Sequence, residues 1–153
     1  MSILKVDTIN EKTSGNGVAI PGHVIQVVQG TSTAYLNSFS ANTHTDTGLT
    51  ATITPKSASS KVLVFHSSSI LVTNTHDCIL RLLRGNTVVH NLNFYSTTGY
   101  SPFSGAFQYL DSPSTTSATT YKTQIYYNQN EALYNYNNEV TSKSTLTLME
   151  IAQ

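Results

Sequence analysis

Few side chains in this sequence could act as general acids or bases. The formal net charge is zero, and the acidic residues are Asp7, Glu11, Asp46, Asp77, Asp111, Glu131, Glu139 and Glu150. None forms a close pair by spacing, as glycoside hydrolysis by two carboxylates would favour. There is no G-x-S-x-G, H-E-x-x-H or phosphate-binding glycine loop. We expect a protein that is not an enzyme. Because distant residues can meet in a fold, a polysaccharide depolymerase stays open as the lesser alternative, with Asp77 or Glu131 as the acid to test.

The five histidines and the single cysteine are the candidate metal ligands or nucleophiles. The histidines are His23, His44, His66, His76 and His90, and none has the i, i+2 or i, i+4 spacing of a metal site. We therefore predict no metal and no other cofactor. In a homotrimer, one histidine near the axis would occur three times, and His44 is the candidate for such an axial site. Cys78 lies among apolar residues and is expected to be a buried small hydrophobic residue.

A stretch rich in tyrosine and asparagine is the candidate contact surface. The residues assigned to it are Tyr126, Tyr127, Tyr134, Tyr136, Asn128, Asn130 and Asn135. Aromatic faces stack on sugar rings and amides bond hydroxyl groups, and both residue types also make low-entropy protein contacts. We predict contact with a glycan or protein receptor. The alternative is that the tyrosines belong to a core or subunit interface and the asparagines fill a loop.

The elements that must position these residues are β-strands. Residues 49–53 alternate between apolar and hydroxyl-bearing side chains, and residues 62–65 form an apolar run that predicts a strand buried on both faces. Together these two segments predict a hairpin that forms the core nucleus. Residues 40–48 and 96–104 are predicted to be loops. Eight to ten short strands without helical periodicity predict an all-β fold, an antiparallel β-sandwich or jelly roll.

The segment LLRGNTVV predicts a second hairpin, with a two-residue turn at Gly85 and Asn86. That turn pairs Arg84 with Thr87 and Leu82 with Val89, which leaves large apolar side chains on both faces of the hairpin. The apolar side chains on the second face are Ile79, Leu83, Val88 and Leu92. One sandwich core covers only one face, so the other predicts contact with a second subunit and hence a homo-oligomer.

Residues 1–21 read as a unit separate from a β-domain at 22–153. Their apolar residues, Ile3, Leu4, Val6 and Ile9, are too few to form a core and must pack on something else. We expect a docking arm that joins a larger assembly, with an ordinary edge strand as the alternative.

The composition limits the possible partners. Charged residues make up 10% of the chain, against about 25% in an average soluble protein, so electrostatic capture of nucleic acid is not expected. Ser, Thr and Asn fill roughly a third of the positions instead. No apolar run approaches the roughly 18 residues of a membrane span, and the N-terminus lacks the pattern of a secretory signal. We expect no membrane insertion, synthesis in a cytoplasm and release by lysis.

Five segments together resemble a known class of proteins. They are LKVDTIN, GHVIQVV, LTATITPKSASSKVLV, LLRGNTVV and TLTLMEIA. These strand and turn patterns, which span nearly the whole chain, are similar to tail-fibre-like virion proteins of tailed bacteriophages, especially marine ones. The resemblance implies a virion structural protein without a cofactor, whose N-terminal segment docks on other virion proteins and whose trimeric β-knob faces the host.

The chain departs from that class in length, because no part of residues 22–153 reads as a repetitive shaft. The alternative is therefore a decoration protein of the capsid, collar or tail that binds no receptor, or a cap on a fibre formed by another chain.

Overall fold

The fold is all-β, a sandwich of antiparallel sheets. A computed structural model describes residues 8–10, 20–37, 40–73, 77–97, 99–128, 132–135 and 143–153. These residues form the strands β1 (Val24–Ser32), β2 (Thr43–Ile53), β3 (Lys61–Ser67), β4 (Ser69–Thr73), β5 (Asp77–Arg84), β6 (Thr87–Tyr95), β7 (Tyr100–Ser104), β8 (Phe107–Asp111), β9 (Thr119–Tyr127), β10 (Ala132–Tyr134) and β11 (Ser144–Ile151). The predicted fold class is confirmed.

Two layers of strands make up the sandwich. The first layer has the order β1-β11-β3-β8 and continues into β10-β4-β7, and the second has the order β2-β9-β5-β6. In the first layer, β3 and β4 pair with β8 and β7 as one ladder, because Gly105 N donates to Ser68 O (2.9 Å) at the break between them. When β3–β4, β7–β8 and β10–β11 are each counted as one interrupted strand, the order is that of a jelly roll.

The period-two alternation of the strands builds the core between these layers. In β9, Tyr121, Thr123, Ile125 and Tyr127 are all buried, whereas the residues between them are half-buried. The same alternation in β11 buries Leu146 and Leu148. Because each strand buries one face only, the sequence periodicity identifies the inner face of both sheets.

The chain pairs differently from the predicted first hairpin. Strand β2 pairs with β9, and β3 pairs with β11 and β8, so the two strands lie in different layers and the hairpin prediction was wrong. The run in β3 is also not buried on both faces, since Leu63 is half-buried and Phe65 is exposed. Two expected loops are largely strand, because β2 already begins at Thr43 and β7 covers 100–104.

The second hairpin forms at the predicted turn but with a shifted register. Arg84 pairs with Thr87 as expected. Leu82 pairs with His90 and not with Val89, because the register shifts between Leu82 and Leu83. The shift places Leu92 opposite Leu80, on the core side of the sheet. The prediction that Leu92 lies on a second apolar face in contact with another subunit was therefore wrong.

Two buried carboxylates join the layers. Asp111 of β8 accepts two hydrogen bonds from Arg84 Nη1 of β5 (2.9 and 2.7 Å) and one from Tyr121 Oη of β9 (2.6 Å). Glu150 of β11 accepts hydrogen bonds from Gln26 Nε2 (2.6 Å) and from the backbone N–H of Lys56 (2.7 Å), in the connection between β2 and β3. A buried carboxylate costs free energy unless it is paired, so these bonds fix how the layers lie on each other.

The N-terminal segment joins the domain beside its C-terminus. Gly22 N donates to Ala152 O (2.9 Å), next to the end of β11. Ile9 is exposed, whereas Ile3, Leu4 and Val6 of the proposed docking arm lie outside the described residues.

Val64 provides a test of the core. Replacing this fully buried residue by Asp places a charge without a partner between the layers. We expect Val64→Asp to leave the domain unfolded, as measured by circular dichroism and protease resistance. The control is Val88→Asp, since Val88 is 40% exposed. A folded, soluble Val64→Asp protein would contradict this placement.

Gly30 tests the contact between the first two strands. Strand β1 includes Gly30, and a Cβ at this position would lie 1.9 Å from the carbonyl oxygen of Thr50 in β2. We expect Gly30→Ala to lower the free energy of unfolding by about 3 kcal/mol or more in urea titrations. Gly99→Ala is the matched control, because no atom lies within 4 Å of its added Cβ. Equal stabilities of the two variants would show that the layers do not meet so closely.

Candidate ligand-binding site

Four side chains form a row across the outer face of the second layer. His44 of β2 is the Cα partner of Tyr126 in β9, Tyr126 is the partner of Ile79 in β5, and Ile79 is the partner of Asn93 in β6. Residues that are partners in adjacent strands point to the same side of a sheet. The row therefore brings an imidazole, a phenol, an aliphatic group and an amide together on one surface.

A cleft of about 410 Å³ opens at this row. Its lining includes the four residues of the row together with Asp77, Cys78 and Phe94. Asp77 and Asn93 are exposed, whereas His44, Ile79 and Tyr126 are half-buried. The cleft thus combines an aromatic and aliphatic floor with polar groups at its solvent side, and its volume lies in the range of small-ligand sites.

The orientation of the Tyr126 ring is set by its neighbours. Its hydroxyl donates to Asn42 Oδ1 at 3.0 Å, and its ring centroid lies 4.9 Å from that of His44, with the planes tilted by 42°. A ring that is held in this way loses little conformational entropy when a ligand packs on it.

A polar network borders the cleft one row further along the same face. Arg81 Nε donates to Gln124 Oε1 (2.8 Å), Gln124 Nε2 donates to Asp46 Oδ1 (2.6 Å), and Lys122 Nζ lies 3.1 Å from Asp46 Oδ2. Hydrogen bonds from Gln124 and Lys122 help hold the pKa of Asp46 below its ordinary value, against the opposing effect of burial. Both cations of this network, Arg81 and Lys122, are therefore bound to acceptors of the protein.

His44 lies at one end of the row, with a buried Nδ1 that has no hydrogen-bond partner. Burial, followed by the charge of Arg81, lowers the pKa of His44, so its imidazole is neutral at neutral pH. In the part of the chain that the structure describes, no group of three or more His, Cys, Asp or Glu side chains could hold a metal ion. An axial metal site at His44 stays a prediction.

The candidate contact residues separate into different environments. Tyr126 lies on the outer face, whereas Tyr127 and Tyr134 are fully buried and Asn135 is nearly so. The Tyr127 hydroxyl donates to Thr73 O at 2.6 Å, and Asn135 Nδ2 donates to Ala34 O at 2.9 Å. These three side chains are part of the core, so assigning them to a receptor surface was wrong for this fold.

Of the remaining candidate contact residues, Asn128 alone lies within the described residues. Asn128 is half-buried, with a buried Oδ1 that has no hydrogen-bond partner. Tyr136 and Asn130 lie outside the described residues.

The cleft also contains residues that the sequence did not suggest. Ile79 and Asn93 belong to the hairpin of β5 and β6, far along the chain from the tyrosine and asparagine stretch. The available signal was the alternation of β5, which places Ile79 on the face opposite the buried Cys78 and Leu80. The predicted burial of Cys78 is confirmed, and burial raises the pKa of its thiol to about 12.

The outer face of the first layer has a different character. Val27, Met149, Leu63 and Leu110 are successive Cα partners across β1, β11, β3 and β8. Val27 is 55% and Leu110 48% exposed. Among the described residues of these strands that point outward, Lys61 alone carries a charge. We call this surface the apolar outer face after that row, although the next row on it, formed by Gln29, Thr147, Phe65 and Gln108, is largely polar.

The sequence was compared with models of known protein families and with curated proteins. No model of a known protein family matches the chain, and no curated protein matches it either. Across the described residues, no helix could span a lipid bilayer.

His66 of β3 is a buried histidine in the first layer. Its Nδ1 donates to the carbonyl oxygen of Gly105, its ring stacks on Phe107 (4.8 Å between centroids), and its Nε2 is buried without a partner. Burial lowers the pKa of His66 to about 4, although the hydrogen bond to Gly105 opposes this effect.

The pH dependence of stability tests this assignment. Between pH 6.5 and 4 the unfolded chain binds a proton at His66 and the folded chain does not, so stability falls as the pH falls. The contribution is fully present above pH 6.5, and its loss amounts to about 3 kcal/mol near pH 4. Urea titrations of the wild type and of His66→Gln should therefore show a smaller acid loss for the variant. Parallel pH profiles would contradict the assignment.

Proposed function

We propose that the chain is a structural protein of a phage virion, a non-enzymatic β-sandwich knob that assembles with copies of itself and serves in attachment to the host surface. The resemblance of its strand and turn segments to tail-fibre-like virion proteins supports the first part. The role in attachment is supported by the cleft at Tyr126.

The observation that carries the proposal is the contrast between the two outer faces. The first layer presents the row of Val27, Met149, Leu63 and Leu110 with almost no charge, whereas the second presents charged and amide side chains in a connected network. An apolar, nearly uncharged sheet face suits contact with another protein surface, and a polar face suits exposure to solvent and ligands.

The occupant proposed for the apolar outer face is a second copy of this chain. Copies of an uncharged face meet without repulsion between like charges, and a closed symmetric assembly repeats the same contact in each subunit. In the homotrimer that we propose, this face points to the common axis. This arrangement puts His44 on the opposite face, away from the axis, so it is an alternative to the axial metal site predicted at His44. Residues 1–21 join the knob to other virion proteins.

Self-association tests the assignment of this face. Leu110→Lys places a charge in every copy of the contact, so we expect its dissociation constant to rise by about tenfold or more, because an unpaired charge is costly to bury. Sedimentation velocity over a concentration series measures this change. Val88→Lys, an exposed valine on the second layer, is the control and should leave association unchanged. A monomeric wild-type protein would contradict the proposal.

The place on the particle is tested separately. Mass spectrometry should detect the chain in purified virions. A reconstruction of the particle should show residues 1–21 in contact with another virion protein. Finding the chain only in the infected cell and never in particles would overturn the role in the virion. A chain that is present on particles but has no effect on adsorption would be a decoration protein.

A further inference from the structure

We propose that the cleft formed by His44, Tyr126, Ile79, Asn93 and Asp77 is a binding site for a neutral saccharide. The inference deepens the role in host attachment and rests on it for its biological meaning. Binding itself is a property of the isolated domain and can be measured without the virion.

The floor of the cleft suits the apolar face of a sugar ring. Tyr126 offers an aromatic ring whose orientation is fixed by Asn42 and His44, and Ile79 is its direct partner on the next strand. Aromatic rings gain binding energy from a large apolar face at low entropic cost. The C–H face of a sugar ring can therefore lie across β9 and β5 on this floor.

The polar groups of the cleft suit the hydroxyls at the edge of such a ring. Asn93 supplies an amide that both donates and accepts, and Asp77 supplies a carboxylate that accepts only. Both are exposed, and they lie on adjacent paired strands around Ile79. Neighbouring sugar hydroxyls are donors and acceptors, so they complement this pair.

The charges of the site favour a neutral ligand over an acidic one. Asp77 places a negative charge at the cleft, and in the network beside it the cations Arg81 and Lys122 are accompanied by Asp46. Two cations and two carboxylates leave these described side chains without net charge. A carboxylated or sulfated sugar would meet the like charge of Asp77, and the described residues around the cleft supply no net positive charge to offset it. The polar lining likewise disfavours a purely apolar ligand, whose binding would leave these groups unpaired.

The first experiment uses the purified full chain on an array of neutral and acidic glycans. We expect binding to a subset of neutral glycans and none to their acidic counterparts. The best neutral glycan then serves as the probe in isothermal titration calorimetry. Preference for acidic glycans, binding of no glycan, or binding only to host surface protein would each overturn the proposal.

The second experiment assigns the binding to the cleft. Tyr126→Ala should weaken binding of the probe glycan by about tenfold or more, whereas Tyr126→Phe retains the ring and should keep most of the affinity. Asn93→Ala should also weaken binding. Tyr100→Ala removes a 74% exposed tyrosine of the first layer and is the matched control. Unchanged affinity in Tyr126→Ala, or an equal loss in Tyr100→Ala, would overturn the assignment.

These outcomes separate the inference from the proposed function. Glycan binding by a chain that is absent from virions would refute the virion role and leave the saccharide site intact. A chain that is present in virions but binds no glycan would refute the saccharide site and leave the virion role intact.

Discussion

The pairing of two buried carboxylates fixes the way in which the layers of this sandwich meet. Asp111 and Glu150 both belong to the first layer and flank Val62 as its partners on either side. Asp111 takes its hydrogen bonds from Arg84 and Tyr121 of the second layer, and Glu150 takes one from the connection between the layers. Because a buried carboxyl group without hydrogen bonds is costly, the bonds of Asp111 favour one relative position of the two layers, and those of Glu150 hold the connection against the first layer.

With the inner faces occupied by the core, the outer faces are free to differ. The first layer presents the apolar row through Leu63 and Met149, and the second presents the Tyr126 cleft beside the network of Arg81, Gln124 and Asp46. Assembly and ligand binding can then use opposite sides of one small domain. Each side is a rigid sheet, which holds side chains in place better than loops do.

The candidate site was only partly predictable, and Tyr126 and Tyr127 show why. The two tyrosines are neighbours in sequence, but a strand sends consecutive side chains to opposite faces, so one reaches the cleft and the other the core. Treating the tyrosine and asparagine stretch as one surface disregarded this period. The alternation of β9 places Tyr127 on the inner side with Ile125.

By itself the sequence determined the local features of this protein. Alternation indicated the fold class, the Gly-Asn pair indicated the turn at Gly85, and apolar neighbours indicated the burial of Cys78. Only the tertiary structure decided which strands pair, because that depends on hydrogen bonds between residues far apart in the chain. It separated β2 from β3, and a single bulge moved Leu92 to the core side. It also assembled the cleft from four strands whose residues share no local pattern.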